Sequence, residues 1–171
     1  KNPGKLNYGS AGNASAGHLA MEYLKLVTGM FITHIPYRGT GPQLTDLLAG
    51  RTQASSAGLP ALLPHIKSGK LRAIAVGTAQ RMPNLPDVPT FEEQGVSGVD
   101  LSGYIGFFGP ADMPPATVTR LNAEMQKILD TPAVAELIAQ GGNTPAGGPA
   151  ARFAKLVSDQ YDTWGGVIRK V

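Results

Sequence analysis

Over its first 110 residues the chain alternates short apolar strand patterns with helical ones. The strand patterns lie at 6–10, 31–37, 52–57, 71–76 and 99–109. Helices are predicted between them at 15–28, 42–50 and 61–67. Strands separated by helices favour an α/β fold with a parallel sheet. After Pro114 the pattern is helical only, with helices predicted at 117–130, 133–140 and 150–171.

Composition excludes several classes of protein. The chain has 171 residues and no cysteine, which excludes disulfides, thiolate metal sites and cysteine nucleophiles. The net charge is only +3, and no run of four basic residues occurs. A nucleic-acid surface needs clustered basic residues, so no nucleic-acid partner is predicted. The apolar stretches are too short to span a membrane.

The sequence offers little for catalysis. Its three histidines, His18, His34 and His65, stand in no metal-ligand spacing, and each is predicted to be structural. No G-x-S-x-G nucleophile motif occurs, and no pair of carboxylates is spaced for acid–base work. We therefore predict no catalytic residue, no metal ligand and no cofactor.

A loop rich in glycine, serine and alanine (GSAGNASAG, 9–17) joins the first strand to the first helix. Backbone N–H groups and the positive end of a helix dipole suit an anion, either phosphate or carboxylate. Ser10, Asn13 and Ser15 add side-chain donors. The loop matches neither the Walker nor the dinucleotide-binding glycine motif. An ordinary tight turn with a helix N-cap remains the alternative interpretation.

Two further polar loops follow predicted strands. Arg38, in the loop after the second strand, can form a bidentate pair with a carboxylate, and Tyr37 can donate a hydrogen bond. Ala57 and Gly58 stand at a third junction of strand and helix. In open α/β sheets ligands bind beyond the carboxyl ends of the strands, so the three loops are predicted to face one crevice. A solvated arginine and a packed tyrosine are the alternative.

Motifs along the whole chain resemble, in the correct order, the substrate-binding proteins of tripartite tricarboxylate transporters, also called Bug receptors. The segments that carry the resemblance are LNYGSAG at 6–12, HLA at 18–20, HIPYRG at 34–39, LTDLLAG at 44–50, LP at 59–60, LPHIKSGKLRA at 63–73, LPDVPT at 85–90 and GYIGFFGP at 103–110. Each motif is modest when taken singly, and together they are highly specific.

The resemblance implies a fold like that of type II periplasmic binding proteins, with two α/β lobes and a ligand cleft between them. Residues 1–103 are expected to form the second, ligand-binding lobe, a parallel-rich sheet with flanking helices. Residues 104–171 are expected to supply the return strand and the helices that complete the first lobe. From the resemblance, the family's signal peptide and about one hundred residues of its first lobe are expected to lie outside this sequence. The helical tail is therefore expected to expose apolar stripes and to self-associate.

The resemblance also implies a function. Such proteins are periplasmic receptors and not enzymes; they capture a small carboxylate and deliver it to the membrane subunits of the transporter. Carried over by position, the ligand-binding residues are Ser10, Ala11, Gly12, Asn13, Ser15, Tyr37, Arg38, Gly39, Thr40, Ala57 and Gly58.

One departure from the family pattern bears on the ligand. Many relatives have FDNLP where this chain has SAGLP at 56–60, so Ala57 replaces an aspartate. The replacement favours a plain carboxylate over an amino acid as the ligand. An enzyme domain that binds a phosphorylated small ligand at the loop 9–17 is the alternative function.

Overall fold

The chain divides into two compact units in its structure, a computed structural model that describes residues 4–170. Lys1–Gly103 and Val167–Val171 belong to the first, called here the α/β unit, and Tyr104–Gly166 form the second, the helical unit. The assignment of residues 1–103 and 104–171 to two lobes of a larger receptor stays a prediction.

A three-stranded parallel sheet forms the centre of the α/β unit. The strands are β1 (Asn7–Ser10), β2 (Thr33–Pro36) and β3 (Ala54–Ser55), in the order β2-β1-β3. Gly9 of β1 lies opposite Ile35 on one side and Ser55 on the other. The predicted α/β fold with a parallel sheet is confirmed.

A helix follows each strand: α1 (Ala16–Thr28), α2 (Thr40–Leu48) and α3 (Leu59–Lys67). The Ser15 hydroxyl caps α1 by accepting the His18 N–H, as serine commonly does at this position. Gly29 ends α1 with φ 66°, in the left-handed region that favours glycine. A short 3₁₀ turn follows at Glu92–Gln94.

Two apolar clusters hold the α/β unit together. Buried members of the first are Tyr8, Met21, Leu24 and Ile32, which join β1 to α1 and to the entry of β2. The second cluster contains Leu63, Val76 and Leu85. Burying such side chains contributes about 1.5–3 kcal/mol each, so the first cluster fixes α1 on the sheet.

The strands predicted at 71–76 and 99–109 are wrong. Val76 forms only an isolated bridge to Thr90, and the Ile74 side chain is 68% exposed. Ile105 and Phe107 are also exposed, and no strand is assigned at 99–109. An apolar run with high β propensity becomes a strand only where another strand completes its ladder. Among residues 4–170 no strand pairs with either segment.

The helical unit contains α4 (Pro115–Leu129), α5 (Pro132–Gln140) and most of α6 (Ala150–Ile168). The Phe153 ring packs against Tyr104 edge to face and against Phe108, with ring centroids 5.2 and 5.3 Å apart. Neither α4 nor α5 has a buried residue, and their apolar side chains Leu121, Ile128 and Leu137 are exposed. The expected exposed apolar stripes are therefore present in this unit. No helix within residues 4–170 combines the length and apolarity that a membrane span needs.

Candidate functional site

Three loops leave the sheet at the same edge. Loop 1 (residues 11–15) joins β1 to α1, loop 2 (37–39) joins β2 to α2, and loop 3 (56–58) joins β3 to α3. All three strands are parallel, so their carboxyl ends meet at one edge. Ligands of open α/β sheets bind at this edge. We call the three loops together the loop edge.

Backbone hydrogen bonds join loop 1 to loop 2. The Tyr37 N–H donates to the Ser10 carbonyl, and the Gly39 N–H donates to the Ala11 carbonyl, both at 3.0 Å. Gly12 has φ 133°, and a Cβ at this position would lie 3.2 Å from the Tyr37 carbonyl oxygen. The close approach of the two loops therefore requires glycine at position 12.

Loop 3 lies against the first turn of α1. A Cβ placed on Gly17 would overlap the Ser56 carbonyl oxygen. Gly17 is helical, so the close backbone approach, rather than an unusual φ, demands glycine here. Of the residues predicted to bind ligand, Ala57 is half-buried and Gly58 is exposed.

The Ser10 hydroxyl is engaged inside the protein. Ser10 is fully buried, and its Oγ lies 2.6 Å from Nε2 of His34. The same oxygen accepts the Gly12 N–H at 3.2 Å and lies 3.1 Å from the Gly12 carbonyl oxygen. The Ser10 hydroxyl therefore stabilises the conformation of loop 1 through internal hydrogen bonds. The sequence alone predicts that it donates directly to the ligand.

Two stacked imidazoles support loop 1. The His34 ring stacks on His18 with centroids 4.2 Å apart and on Tyr8 at 4.8 Å. The Ala14 N–H donates to Nδ1 of His18 at 3.1 Å, and Ala14 has φ 61°, a strained value for a residue with a Cβ. Burial, and then the charge of His18, hold the pKa of His34 below its usual value. Within the described residues no group of three potential ligands could hold a metal ion.

The Tyr37 hydroxyl also has an internal partner. It donates to Oδ2 of Asp46 at 2.9 Å, and Arg51 pairs with Oδ1 of the same carboxylate at 2.8 Å. Burial, and then the hydrogen bond to Asp46, raise the pKa of Tyr37. This side chain therefore anchors loop 2 to α2.

Donors at the loop edge remain open to solvent. Asn13 and Arg38 are exposed, and Arg38 has no partner among residues 4–170. Ser15, Gly39 and Thr40 are half-buried. The first N–H groups of a helix have no acceptor within the helix and carry its positive dipole end, so α1 adds donors here. The arrangement offers a cationic, donor-rich surface to an anion.

Sequence reasoning missed Gln43. The helical pattern predicts Leu44, Leu47 and Leu48 on the buried side of α2, yet Gln43 is 1% exposed and Leu48 is 39% exposed. Nε2 of Gln43 donates to the Gly9 carbonyl at 3.1 Å, to Oγ of Ser55, and more weakly to the Ser56 carbonyl at 3.5 Å. The available signal was its spacing, because residues i and i+4 share a helix face and Gln43 precedes Leu47 by four.

Comparison with known proteins decides the family. A family described as "Tripartite tricarboxylate transporter family receptor" matches residues 1–171. The chain belongs to this receptor family. The resemblance inferred from the motifs is thus confirmed, and the family consists of solute-binding receptors and not of enzymes. Nothing in the comparisons supports the alternative of an enzyme domain for a phosphorylated ligand.

Curated relatives of this receptor chain are bacterial. A UPF0065 protein from the tcbD-tcbE intergenic region of Pseudomonas sp. strain P51 is 36% identical over 165 residues, which are 96% of this chain and 49% of the relative. Protein BugT of Bordetella pertussis is 34% identical over 168 residues, 98% of this chain and 52% of BugT. The chain spans about half the length of these two relatives.

Solved structures of the family share the fold. Rpa4515 of R. palustris with adipate has a TM-score of 0.91 and 33% identity, covering 98% of this chain and 56% of that one. MatC of Rhodopseudomonas palustris with bound malate has a TM-score of 0.82 and 29% identity, covering 96% and 57%. The periplasmic binding protein BugD has a TM-score of 0.83 and 32% identity, covering 99% and 57%.

Gly17→Ala is expected to destabilise the protein, although alanine is the better helix former. The new methyl group would overlap the Ser56 carbonyl and push loop 3 from α1. The matched control is Gly41→Ala in α2, where a Cβ meets nothing within 4 Å. The control is expected to gain up to about 1 kcal/mol. Urea unfolding measures both, and equal stabilisation of the two variants would contradict the close contact.

Protonation of His34 is expected to weaken the fold. Its pKa is lower in the folded than in the unfolded chain, where it is about 6.5. The unfolded chain therefore binds more protons, and stability falls as the pH drops below about 6.5 towards the folded pKa. Thermal unfolding between pH 8 and 5 should show this loss in the wild type and a smaller loss in His34→Gln. His65→Gln controls for removal of an imidazole, and parallel profiles of wild type and His34→Gln would contradict the assignment.

Proposed function

We propose that this chain supplies a carboxylate-binding surface of a periplasmic solute-binding receptor. The observation that carries the proposal is the convergence of three polar loops at one sheet edge, with Arg38 exposed and unpaired among the described residues. The solved relatives described with adipate and with malate support a carboxylate as the ligand class.

The ligand carboxylate accepts hydrogen bonds from the first turn of α1, whereas the N–H groups of Gly12, Ala14 and Ser15 donate within the protein. The helix dipole favours its negative charge, and Arg38 pairs with a carboxylate through its planar guanidinium. Proposed direct contacts are Ala11, Gly12, Asn13, Ser15, Arg38, Gly39, Thr40, Ala57 and Gly58. Ser10 and Tyr37 belong to the same site and act through the loops, since their hydroxyls have internal partners.

Small carboxylates without an amino group are the proposed ligands. The loop edge presents a guanidinium, an amide side chain and backbone donors, whereas an ammonium group needs an acceptor. Ala57 offers none in its side chain. A plain mono- or dicarboxylate therefore fits these loops better than an amino acid does.

The wider role is proposed from the family. The complete receptor captures the acid in the periplasm and delivers it to the membrane subunits of a tripartite tricarboxylate transporter. Residues 1–103 form its ligand-binding lobe, and residues 104–171 contribute to the other lobe. Because the chain spans about half of its relatives, these statements concern a longer protein.

Calorimetric titration of the 171-residue chain with adipate, malate, glutamate and inorganic phosphate tests the ligand class. We expect binding of the first two acids and at least about tenfold weaker binding by Arg38→Met, since a hydrogen bond to a charged group contributes about 1.5–3 kcal/mol. Arg72→Met, which removes a charge that is also exposed, is the matched control and should bind as the wild type does. Binding of phosphate without either acid would contradict the proposal and favour the phosphorylated-ligand alternative.

The exposed apolar side chains of the helical unit are expected to associate two copies of the chain. Ile105, Phe107 and Phe108 are each at least 70% exposed, an arrangement typical of an interaction surface. Light scattering across a concentration series should show a dimer that the double variant Ile105→Ser, Phe107→Ser weakens. Ile74→Ser, which alters an exposed isoleucine of the α/β unit, should leave the dimer unchanged. A monomer at every concentration that binds no apolar dye would contradict self-association.

A further inference from the structure

One buried side-chain amide lies beneath the loop edge. Gln43 of α2 is 1% exposed, and its Nε2 donates to the carbonyls of Gly9 and Ser56 and to Oγ of Ser55. Carbonyl oxygens only accept hydrogen bonds, so the nitrogen and not the oxygen of the amide must face them. The orientation of this amide is thus set by its surroundings.

Gln43 bonds directly to loop 3 and to the strand that precedes loop 1. Gly9 immediately precedes Ser10, whose hydroxyl and carbonyl hold Gly12 and Tyr37. Ser56 begins loop 3, and its carbonyl lies against Gly17 in the first turn of α1. Loop 2 leads directly into the helix that carries Gln43. The amide therefore joins the helix after loop 2 to the strand before loop 1 and to loop 3.

The same amide is costly for stability. Oε1 of Gln43 is buried and has no hydrogen-bond partner among the described residues. Oγ1 of Thr52 is also buried without a partner, and Thr52, like Gln43, packs against Gly9. A buried polar atom without a partner loses its hydration and gains nothing in return. An apolar side chain of the same shape would avoid this cost but would also lose the donated hydrogen bonds. The two effects oppose each other, so the net contribution of Gln43 to stability is small.

We propose that Gln43 is a positioning residue of the carboxylate site: it orders the three loops for binding and adds little to the stability of the fold. The inference rests on the proposed function in so far as the loops bind the ligand. Gln43 does not touch the ligand; it acts through the positions of Gly9 and Ser56. Its loss therefore disorders the donors of the loop edge while the apolar clusters of the α/β unit persist.

Gln43→Met tests the proposal, because methionine nearly keeps the volume and removes both the donor and the unpaired oxygen. The matched control is Thr52→Val, which removes the other buried oxygen without a partner. The Thr52 hydroxyl makes no hydrogen bond to any of the three loops. The measurements on the 171-residue chain are the melting temperature, amide hydrogen exchange, and the dissociation constants of adipate and malate. Reporter amides at the loop edge are Ser15, Tyr37, Gly39 and Ala61; reference amides away from it are Gly29 and Thr33.

In Gln43→Met we expect a melting temperature close to that of the wild type and unchanged exchange at the reference amides. The exchange rates of the reporter amides should rise about tenfold, and the affinity for each of the two acids should fall about tenfold. A factor of about ten corresponds to roughly one net hydrogen bond. Thr52→Val should match the wild type in exchange and affinity. If Gln43→Met does not fold, Ser55→Ala replaces it, because this variant removes one acceptor of the Gln43 amide. Exchange of the Ala61 amide should then also be faster than in the wild type.

Reporter exchange within about twofold of the wild type in a folded Gln43→Met would overturn the proposal. So would equal acceleration in Thr52→Val, or faster exchange with unchanged affinity for both acids. If the wild-type chain binds neither acid, the proposed function fails, and the exchange rates still decide whether Gln43 orders the loops.

Discussion

Parallel pairing of β1 with both β2 and β3 is the constraint on which the loop edge depends. Pairing in the same direction forces the three carboxyl ends to one side, and each connection must cross back as a helix whose N-terminus begins at that side. The burial of Tyr8 and Ser10 on β1 shows how completely the central strand is enclosed. Loops from distant parts of the sequence thereby become neighbours.

The close approach of loops 1 and 3 to neighbouring backbone requires unusual residues or conformations, and contacts from nearby side chains stabilise them. A carbonyl oxygen packs against Gly12 and another against Gly17, at positions where a Cβ would be too close to it. Ala14 adopts a left-handed conformation although it has a Cβ. The Ala14 N–H is held by the imidazole of His18, which in turn stacks on His34. The hydrogen bond to His18 and the stacking of His18 on His34 thus hold loop 1 in its strained conformation.

Local sequence signals predicted the local structure well. The helix predicted at 15–28 is α1 in the structure, and the alternation of strands and helices predicted the parallel sheet. Predictions failed where a distant partner decides the outcome. The segment 71–76 has strand composition but no neighbouring strand within residues 4–170, and the hydroxyls of Ser10 and Tyr37 turn to His34 and Asp46. Gln43 was missed for the same reason, because its acceptors lie on β1 and β3.

The composition of the loop edge bears on how selective the proposed receptor can be. Backbone N–H groups and a helix dipole recognise the charge of a carboxylate and are indifferent to the rest of the acid. Among the proposed contacts, only Asn13 and Arg38 extend exposed polar side chains, and Ala57 is apolar. Adipate and malate differ in length and in a hydroxyl group, and these loops hold few groups that could distinguish them. In the proposed receptor the α/β unit would set the class of ligand, and the choice among acids of that class would rest on side chains beyond these loops.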